Sequence, residues 1–224
     1  NGKGSTASFL KEILEAHKFT VNVYTSPHLI NFNERIRIRN KLISDELLID
    51  ILENIEAKNN NKPITFFEIT TAAAFVLFAQ HKADFLILET GLGGRLDATN
   101  IIPKKMISII TAIDIDHQEF LGNTIKKITN EKLGIIREYE NVVIAKQKNE
   151  VQKHIFKKLK NKKNIYYFNK DYKFKLTQKN KFNYEFGNFK KVLNNPSLEG
   201  KHQIENASTA ITTAILLKKN NYSI

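Results

Sequence analysis

The chain has no cysteine among its 224 residues. This absence excludes a disulfide framework and any metal site built on thiolates. The sequence also lacks an apolar run near the roughly 20 residues that a membrane-spanning helix needs, and its first residues do not resemble a signal peptide. No stretch rich in Pro, Gly or Ser marks a flexible linker. With 42% hydrophobic residues, the composition predicts a compact cytoplasmic protein of one or two domains.

Arginine is also scarce. Only five of the 35 basic residues are arginines, although the formal net charge is +12. A basic chain suggests nucleic-acid binding, but proteins that read bases or clamp phosphates favour the planar fork of arginine. The lysines cluster with asparagine, as in residues 157–164, which indicates a compositional preference on solvated surfaces. A noncatalytic basic binding module therefore stays an alternative, and the same charge would steer anionic ligands toward an enzyme.

Apolar patterning predicts an α/β fold with a mostly parallel sheet flanked by helices, because helix-like and strand-like segments alternate along the chain. Further segments alternate apolar residues with lysine and asparagine, which predicts a small antiparallel β layer with one wet face. The strands of the main sheet are expected at 21–24, 85–88, 106–112 and 142–145, and those of the small layer at 165–168, 172–177, 182–186 and 189–192. Helices are expected after residue 4, after Ser44, and at about 68–81, 124–137, 150–159 and 204–217.

The most informative segment is the glycine-rich run 89–100, which follows the apolar stretch 85–88. Such a stretch predicts a strand buried on both faces, and ligands of open α/β sheets bind beyond the carboxyl ends of the strands. Glu89 stands at that end. The glycines allow the backbone to approach a ligand closely, and polar residues including Arg95 and Asp97 follow them. The segment therefore predicts a catalytic loop.

The first six residues are typical of the second half of a phosphate-binding loop that enters a helix. In such a loop, backbone N–H groups hold the phosphates, a lysine adds a point charge and a hydroxyl ligates magnesium. Lys3 and Ser5 are the candidates for the last two roles. The alternative is a plain helix start capped by serine. Because the strand and first glycine of the loop would precede residue 1, we expect the chain to be a fragment.

Together with further motifs in the same order, these two segments resemble the folylpolyglutamate synthase and dihydrofolate synthase family, a branch of the Mur-type ATP-dependent amide ligases. The resemblance covers nearly the whole chain apart from residues 146–195. It implies that residues 1–224 form a Mur ligase-type ATP-binding central domain, P-loop NTPase-like, that lacks its N-terminal strand and a C-terminal ligase domain. The further motifs are the segments 24–29, 33–37, 65–68, 116–122, 131–135 and 200–206.

The resemblance implies an ATP-dependent ligase that adds L-glutamate to dihydropteroate, to reduced folates, or to both, through an acyl phosphate intermediate. We expect a monomer with no membrane or specific nucleic-acid partner, and weak or no activity for the isolated chain. ATP and two magnesium ions are the implied cofactors. A Mur-type ligase for another substrate is the alternative within enzymes, against which the segments 65–68 and 96–98 argue.

The resemblance also implies roles for particular residues. The catalytic residues would be Lys3, Glu89, His117 and Lys132, the last of them carbamylated so that it carries an anionic oxygen donor. ATP would be bound by Asn1, Gly2, Lys3, Gly4, Ser5 and Asn206. The metal ligands would be Ser5, Ser26, Glu89 and His117. The pterin of the substrate would contact Thr65, Phe66, Phe67, Glu68, Leu96, Asp97 and Ala98.

The residue types alone leave other roles open. Ser26 is also expected as a turn serine before a proline, and His117 as a loop residue or an acid/base group. Lys132 is equally expected on a plain helix surface. Glu68 and Asn206 would serve as helix-start residues. Asp114 and Asp116 are alternative carboxylates, and Arg35 and Arg37 are expected to serve loop structure.

Overall fold

The computed structural model of the chain describes residues 1–177, 180–219 and 222–224. Among these residues, no helix is both long and apolar enough to cross a membrane. The elements include two short 3₁₀ helices, η1 and η2. In chain order the elements are α1 (Lys3–Ala16), β1 (Val21–Tyr24), η1 (Phe32–Arg35), β2 (Ile36–Ile38), β3 (Lys41–Leu42), α2 (Asp45–Asn59), α3 (Phe66–Gln80), β4 (Phe85–Leu88), η2 (Ala98–Ile101), β5 (Ile107–Ile110), α4 (Gln118–Leu121), α5 (Ile125–Leu133), β6 (Asn141–Ile144), α6 (Asn149–Lys158), β7 (Ile165–Tyr167), β8 (Tyr172–Leu176), β9 (Lys181–Phe186), β10 (Phe189–Asn194) and α7 (Lys201–Lys219).

The chain forms two compact units. The first unit comprises Asn1–Leu10, Gly93–Leu96 and Ile102–Ile224. The second unit comprises Lys11–Leu92 and Asp97–Ile101. The glycine-rich run after β4 therefore contributes residues to both units.

The second unit is built on a four-stranded sheet in the order β3-β2-β1-β4. Strands β1 and β4 are parallel, whereas β2 and β3 are antiparallel to their neighbours. Helices α2 and α3 supply much of its core, in which Tyr24 is fully buried and its hydroxyl lies 3.0 Å from that of Thr71. Ser44 begins α2 as predicted, because its side chain accepts a hydrogen bond from the backbone N–H of Leu47.

The first unit contains a parallel sheet in the order β5-β6-β7 and an antiparallel sheet in the order β10-β9-β8. Helix α7 and the antiparallel sheet share one hydrophobic core, which includes Tyr172 and Tyr184. The Tyr184 hydroxyl lies 2.7 Å from that of Thr212. Burial raises the pKa of both tyrosines well above the usual range. The predicted α/β class, with parallel strand pairs and a small antiparallel layer, is confirmed.

Four details differ from the sequence predictions. The four strands expected in one main sheet lie in two sheets, with β1 and β4 in the second unit and β5 and β6 in the first, because an apolar run carries no information on its pairing partner. Residues 165–168 were assigned to the antiparallel layer, but β7 pairs in parallel with β6, with Ile165 opposite Val142. An alternating pattern indicates that one face of a strand is exposed to solvent, and it carries no information on strand direction. Strand β4 is not buried on both faces, since Leu86 is 42% exposed. The strands β2 and β3 were not predicted, because arginine and asparagine interrupt their apolar residues.

Candidate functional site

In the first unit, the start of the chain lies against α7. Helix α1 begins at Lys3, and the preceding Gly2 has a φ of +80°. A Cβ atom on Gly2 would lie 2.4 Å from Oδ1 of Asn206, so only glycine allows this approach. Asn206 is 7% exposed, and its Nδ2 donates to Oε1 of Gln203 at 3.0 Å. The structure therefore brings together the residues at the chain start and Asn206, which were predicted as one ATP site.

The loop after β5 lies at the same place. The backbone nitrogen of Asn1 donates to the carbonyl oxygen of Ala112 at 2.9 Å. Gln147 holds this loop from both sides, because its Nε2 donates to the carbonyl of Thr111 and its Oε1 accepts from the N–H of Ile113, each at 2.9 Å. Sequence reasoning missed Gln147, and a single glutamine after a strand gives no signal that would have found it.

This loop leads to the predicted metal ligand His117, which caps α4 with a φ of +50°. Its Nε2 lies 3.6 Å from Oδ2 of Asp116, and both side chains are half-exposed. Asp114 instead pairs with Lys148 at 2.7 Å. The hydrogen bond from Lys148 lowers the pKa of the Asp114 carboxyl, and the hydrogen bond from the N–H of Ile115 lowers it further. Of the two alternative carboxylates, Asp116 is therefore the one that faces His117.

The part of the glycine-rich run in the first unit packs on the end of α5. The Arg95 N–H donates to the carbonyl of Glu131 at 2.9 Å, and Nε of Arg95 lies 3.1 Å from Oε1 of the same residue. A Cβ on Gly94 would lie 2.8 Å from the Glu131 carbonyl, and one on Gly134 would lie 2.3 Å from Cβ of Arg95. These glycines therefore permit close packing between the loop and the helix that carries Lys132.

Lys132 is not an ordinary surface lysine. It is partly buried, and burial lowers the pKa of its ammonium, with a further lowering by the positive charge of Lys3. The negative charge of Asp116 acts to raise this pKa, but its effect is smaller. A lysine on a plain helix surface would keep its charged head in water. Lys132 thus lies within electrostatic reach of Lys3 and Asp116, in the part of the unit where the other predicted residues meet.

In the second unit, two predicted metal ligands follow neighbouring parallel strands. Tyr24 at the end of β1 pairs with Leu88 at the end of β4, and the N–H of Glu89 donates to the Tyr24 carbonyl at 2.9 Å. Ser26 and Glu89 therefore leave the same edge of the sheet. Glu89 is 8% exposed and Ser26 is partly buried. Hydroxyl and carboxylate oxygens at one edge fit the preference of Mg²⁺ for hard oxygen ligands.

Two residues predicted as substrate contacts have structural partners in this unit. Asp97 is 7% exposed, and its carboxylate accepts hydrogen bonds from the N–H of Leu92 at 2.8 Å and from the N–H of Thr99 at 2.9 Å. The ring of Phe67 contacts Gly91, on which a Cβ would lie 2.5 Å from the ring. Both side chains therefore fix the glycine-rich run. Ala98, also predicted, begins η2, and Leu96 in the first unit is 79% exposed.

The predicted substrate segment at the start of α3 forms a capping box. Glu68 N–H donates to Oγ1 of Thr65 at 3.2 Å, and Oε2 of Glu68 accepts from the Thr65 hydroxyl at 2.7 Å and its N–H at 2.8 Å. These hydrogen bonds lower the pKa of Glu68, and the one from the hydroxyl has the largest effect. The alternative role of Glu68 as a helix-start carboxylate is confirmed. Phe66, by contrast, is 63% exposed.

The side chains suggest how a metal would be held. Within the described ranges, no three His, Cys, Asp or Glu side chains come together as a metal-binding group. The predicted ligands Ser5, Ser26 and Glu89 instead offer separate oxygen donors, which fits Mg²⁺ because that ion takes one or two protein ligands together with phosphates and water. The imidazole of His117 suits other metals better.

Comparisons with family models, with known proteins and with solved structures all point to one family. A family model of the Mur ligase middle domain matches residues 1–214. A dihydrofolate synthase/folylpolyglutamate synthase of Haemophilus influenzae is 49% identical over 145 residues, which is 65% of this chain and 33% of that protein. A solved FPGS–AMPPCP–folate complex is 31% identical with a TM-score of 0.88, covering 99% of this chain and 57% of the other.

A second solved structure, a bifunctional folylpolyglutamate synthase/dihydrofolate synthase with Mn, AMPPNP and L-glutamate bound, is 33% identical with a TM-score of 0.79. It covers 96% of this chain and 51% of the other. The chain spans about a third of the length of the curated relatives that it matches. The predicted resemblance is confirmed, and because the family model covers residues 1–214, the chain belongs to the Mur ligase middle domain family.

Proposed function

We propose that the chain is the ATP-binding part of a ligase that adds L-glutamate to dihydropteroate, to reduced folates, or to both. This proposal rests mainly on one observation in the first unit. Asn206 lies against the chain start, and Lys132, whose pKa is lowered, lies within electrostatic reach of Lys3. The relatives support it, since their names give both activities and their solved structures contain a nucleotide, folate and L-glutamate. We further propose a cytoplasmic monomer without a specific nucleic-acid or membrane partner.

The phosphates of ATP would bind at the start of α1. The backbone N–H groups of Gly2, Lys3 and Gly4 lie at the start of α1, where the helix dipole favours negative charge. Lys3 adds a positive charge there, and Ser5 adds a hydroxyl. The side chain of Asn206 packs against Gly2 and would therefore lie beside the bound nucleotide.

Magnesium would be held by Ser5, Ser26, Glu89 and His117, and we propose two ions. When bound, magnesium would neutralise phosphate charge during transfer. The manganese in a solved relative supports a divalent ion in this family. Glu89 is the protein carboxylate in this set, and its position at the strand end fixes the oxygen donor on a rigid element.

Lys132 would be carbamylated. The neutral amine attacks carbon dioxide, an N–C bond forms, one N–H proton leaves to solvent and the product is a negative carbamate. Only the neutral amine has the lone pair that this reaction needs, so the lowered pKa of Lys132 supports the modification. The positive charge of Lys3 would then stabilise the carbamate instead of repelling an ammonium.

In the proposed reaction, a carboxylate oxygen of the substrate attacks the γ-phosphorus of ATP, and ADP leaves. The neutral amino group of glutamate then attacks the acyl carbon of the resulting acyl phosphate. The acyl C–O bond breaks, phosphate leaves with one former carboxylate oxygen, and the amine loses one proton to solvent. Catalysis of this kind consists mainly of positioning and charge neutralisation. Thr65, Phe66, Phe67, Glu68, Leu96, Asp97 and Ala98 stay proposed pterin contacts, and the exposed ring of Phe66 suits a flat heterocycle.

The test uses the full-length protein expressed from the complete reading frame. It is supplied with ATP, magnesium, L-glutamate and either dihydropteroate or tetrahydrofolate, and products are followed by mass and by ADP release. We expect a mass increase of one glutamyl residue, which Glu89→Gln abolishes and the exposed-site control Glu12→Gln leaves unchanged. ATP binding without glutamate addition to either acceptor would contradict the substrate assignment.

A further inference from the structure

Arg35 has unusual partners for a partly buried cation. Its guanidinium carbon lies 5.1 Å from the ring centroid of Phe32 and 5.7 Å from that of Phe66, and its Nε donates to Nδ1 of His28 at 2.9 Å. Within the part of the chain that the structure describes, no carboxylate forms an ion pair with Arg35. A cation withdrawn from water is costly unless an anion compensates it.

The acid next to it in sequence is engaged elsewhere. The carboxylate of Glu34 accepts hydrogen bonds from the N–H groups of Leu29 at 2.7 Å, Ile30 at 2.9 Å and Asn31 at 2.8 Å. These bonds fix a loop whose apolar side chains stand in water, since Leu29 is 93% exposed. Glu34 therefore shapes the loop and leaves the charge of Arg35 without a carboxylate partner.

The imidazole of His28 holds the guanidinium by its edge. Because arginine can only donate, Nδ1 of His28 must accept, and the ring proton therefore resides on Nε2. The rings of His28 and Phe32 are 5.6 Å apart, and those of Phe32 and Phe66 are 5.7 Å apart. The Nε edge of the guanidinium is thus bound by His28, and the rings of Phe32 and Phe66 lie together on one side of it. Its terminal nitrogens have no hydrogen-bond acceptor that the structure shows among the described residues.

Arg35 connects two segments with proposed roles. His28 lies two residues after Ser26, the proposed metal ligand, and Phe66 lies in the segment Thr65–Glu68, the proposed pterin contact. An exposed aromatic ring beside an uncompensated guanidinium is complementary to a flat aromatic molecule that carries a carboxylate. A substrate made of a pterin linked to a benzoate has this chemistry.

We propose that Arg35 is a substrate-binding residue that receives a carboxylate of the aromatic substrate on its terminal N–H groups. The inference deepens the proposed function and rests on it. The carboxylate would be the benzoate group of dihydropteroate or a glutamyl group of a folate. Arginine suits the role because its planar fork contacts both carboxylate oxygens, whereas lysine offers a point charge.

The test measures equilibrium binding of three probes to the full-length protein: pteroate, folate and the carboxylate-free 6-hydroxymethylpterin. We expect Arg35→Gln to weaken binding of a carboxylate probe by about 10- to 100-fold, the usual range for losing a hydrogen bond to a charged group. Binding of hydroxymethylpterin should not change. Arg39→Gln is the matched control, because it removes one charge from the same part of the chain, where Nε of Arg39 donates to the carbonyl of Lys82.

Each outcome decides between roles. Weaker binding of pteroate alone assigns the benzoate carboxylate, because that group is an uncharged amide in folate. Weaker binding of folate alone assigns a glutamyl carboxylate, and weaker binding of both shows that Arg35 receives whichever carboxylate the ligand carries. Equal weakening of all three probes, or no change in any, overturns the inference, and equal weakening would show that Arg35 only positions the loop. Arg35→Lys, which keeps the charge, should lose part of the affinity for the carboxylate probe. If the wild-type protein adds glutamate and Arg35→Gln binds all probes normally, only this inference is wrong. If the wild-type protein binds none of the probes, the proposed function is wrong.

Discussion

The surroundings of Lys132 disfavour its charged form. Burial and the charge of Lys3 lower the pKa of the ammonium in the folded chain, so the unfolded chain binds more protons than the folded one between the two pKa values. The charged ammonium therefore destabilises the fold at low pH, and this penalty disappears as the pH rises through the folded pKa toward the ordinary value. A residue that costs stability at neutral pH is typical of a functional site.

In protein kept free of carbon dioxide, where Lys132 stays an unmodified amine, we expect Lys132→Met to raise the melting temperature at neutral pH, since methionine fills similar space without charge. With carbon dioxide present, the same substitution should abolish glutamate addition. The difference in melting temperature should be largest at low pH and should shrink as the pH rises toward the usual lysine pKa. Thermal unfolding at several pH values checks this, with the exposed Lys146→Met as control. A melting temperature of Lys132→Met that falls below that of the wild type at low pH would contradict the account.

The contact between Gly2 and Asn206 predicts a second effect. Gly2→Ala places a Cβ 2.4 Å from Oδ1 of Asn206 and strains a φ of +80°, so we expect ATP binding to be lost. Gly187→Ala is the matched control, because Gly187 has a φ of +56° with no atom within 4 Å of the added Cβ. That control should cost only the backbone strain of about 1 kcal/mol and leave ATP binding intact. Calorimetric titration with ATP distinguishes the two variants.

Helix starts and strand bounds were predictable because their signals are local. Ser44 before two acidic residues marked the start of α2, and the apolar run 85–88 gave β4 its bounds. The direction of β7 and the existence of β2 and β3 depend on pairing partners distant in sequence, which no local pattern carries. The same limit applies to the site. The motifs predicted the residues of the proposed phosphate loop, but not the hydrogen bonds of Gln147 or the aromatic rings beside Arg35.

The start of α3 combines a structural and a proposed substrate role, and the two can be separated. Thr65→Ala removes the N-cap and should lower the free energy of unfolding by about 0.5–2 kcal/mol. Because the cap also orients Phe66, the KM for dihydropteroate should rise. Ser44→Ala removes the equivalent cap of α2 and should lower stability without changing this KM. Urea unfolding and steady-state kinetics measure both quantities, and a KM that rises equally in both variants would show a general loss of stability.

Over the whole molecule, the net charge of +12 has two interpretations. A noncatalytic basic module would bind nucleic acid with strongly salt-dependent affinity, and Glu89→Gln would not weaken that binding. The family match over residues 1–214 and the assembly around the phosphate loop favour the ligase instead. We expect any nucleic-acid binding in a filter assay to vanish at physiological salt, and tight sequence-independent binding there would favour the module.

The measurement that most directly tests the proposed ligase follows an oxygen isotope from the substrate carboxylate into the products. Dihydropteroate labelled with ¹⁸O in its carboxylate is incubated with the full-length protein, ATP, magnesium and L-glutamate, and the released phosphate is analysed by mass. Transfer of the γ-phosphoryl group to the substrate carboxylate predicts one ¹⁸O atom in each phosphate and one in each product amide. Product formation with unlabelled phosphate would contradict the account, because the phosphoryl group would never have bonded to the substrate.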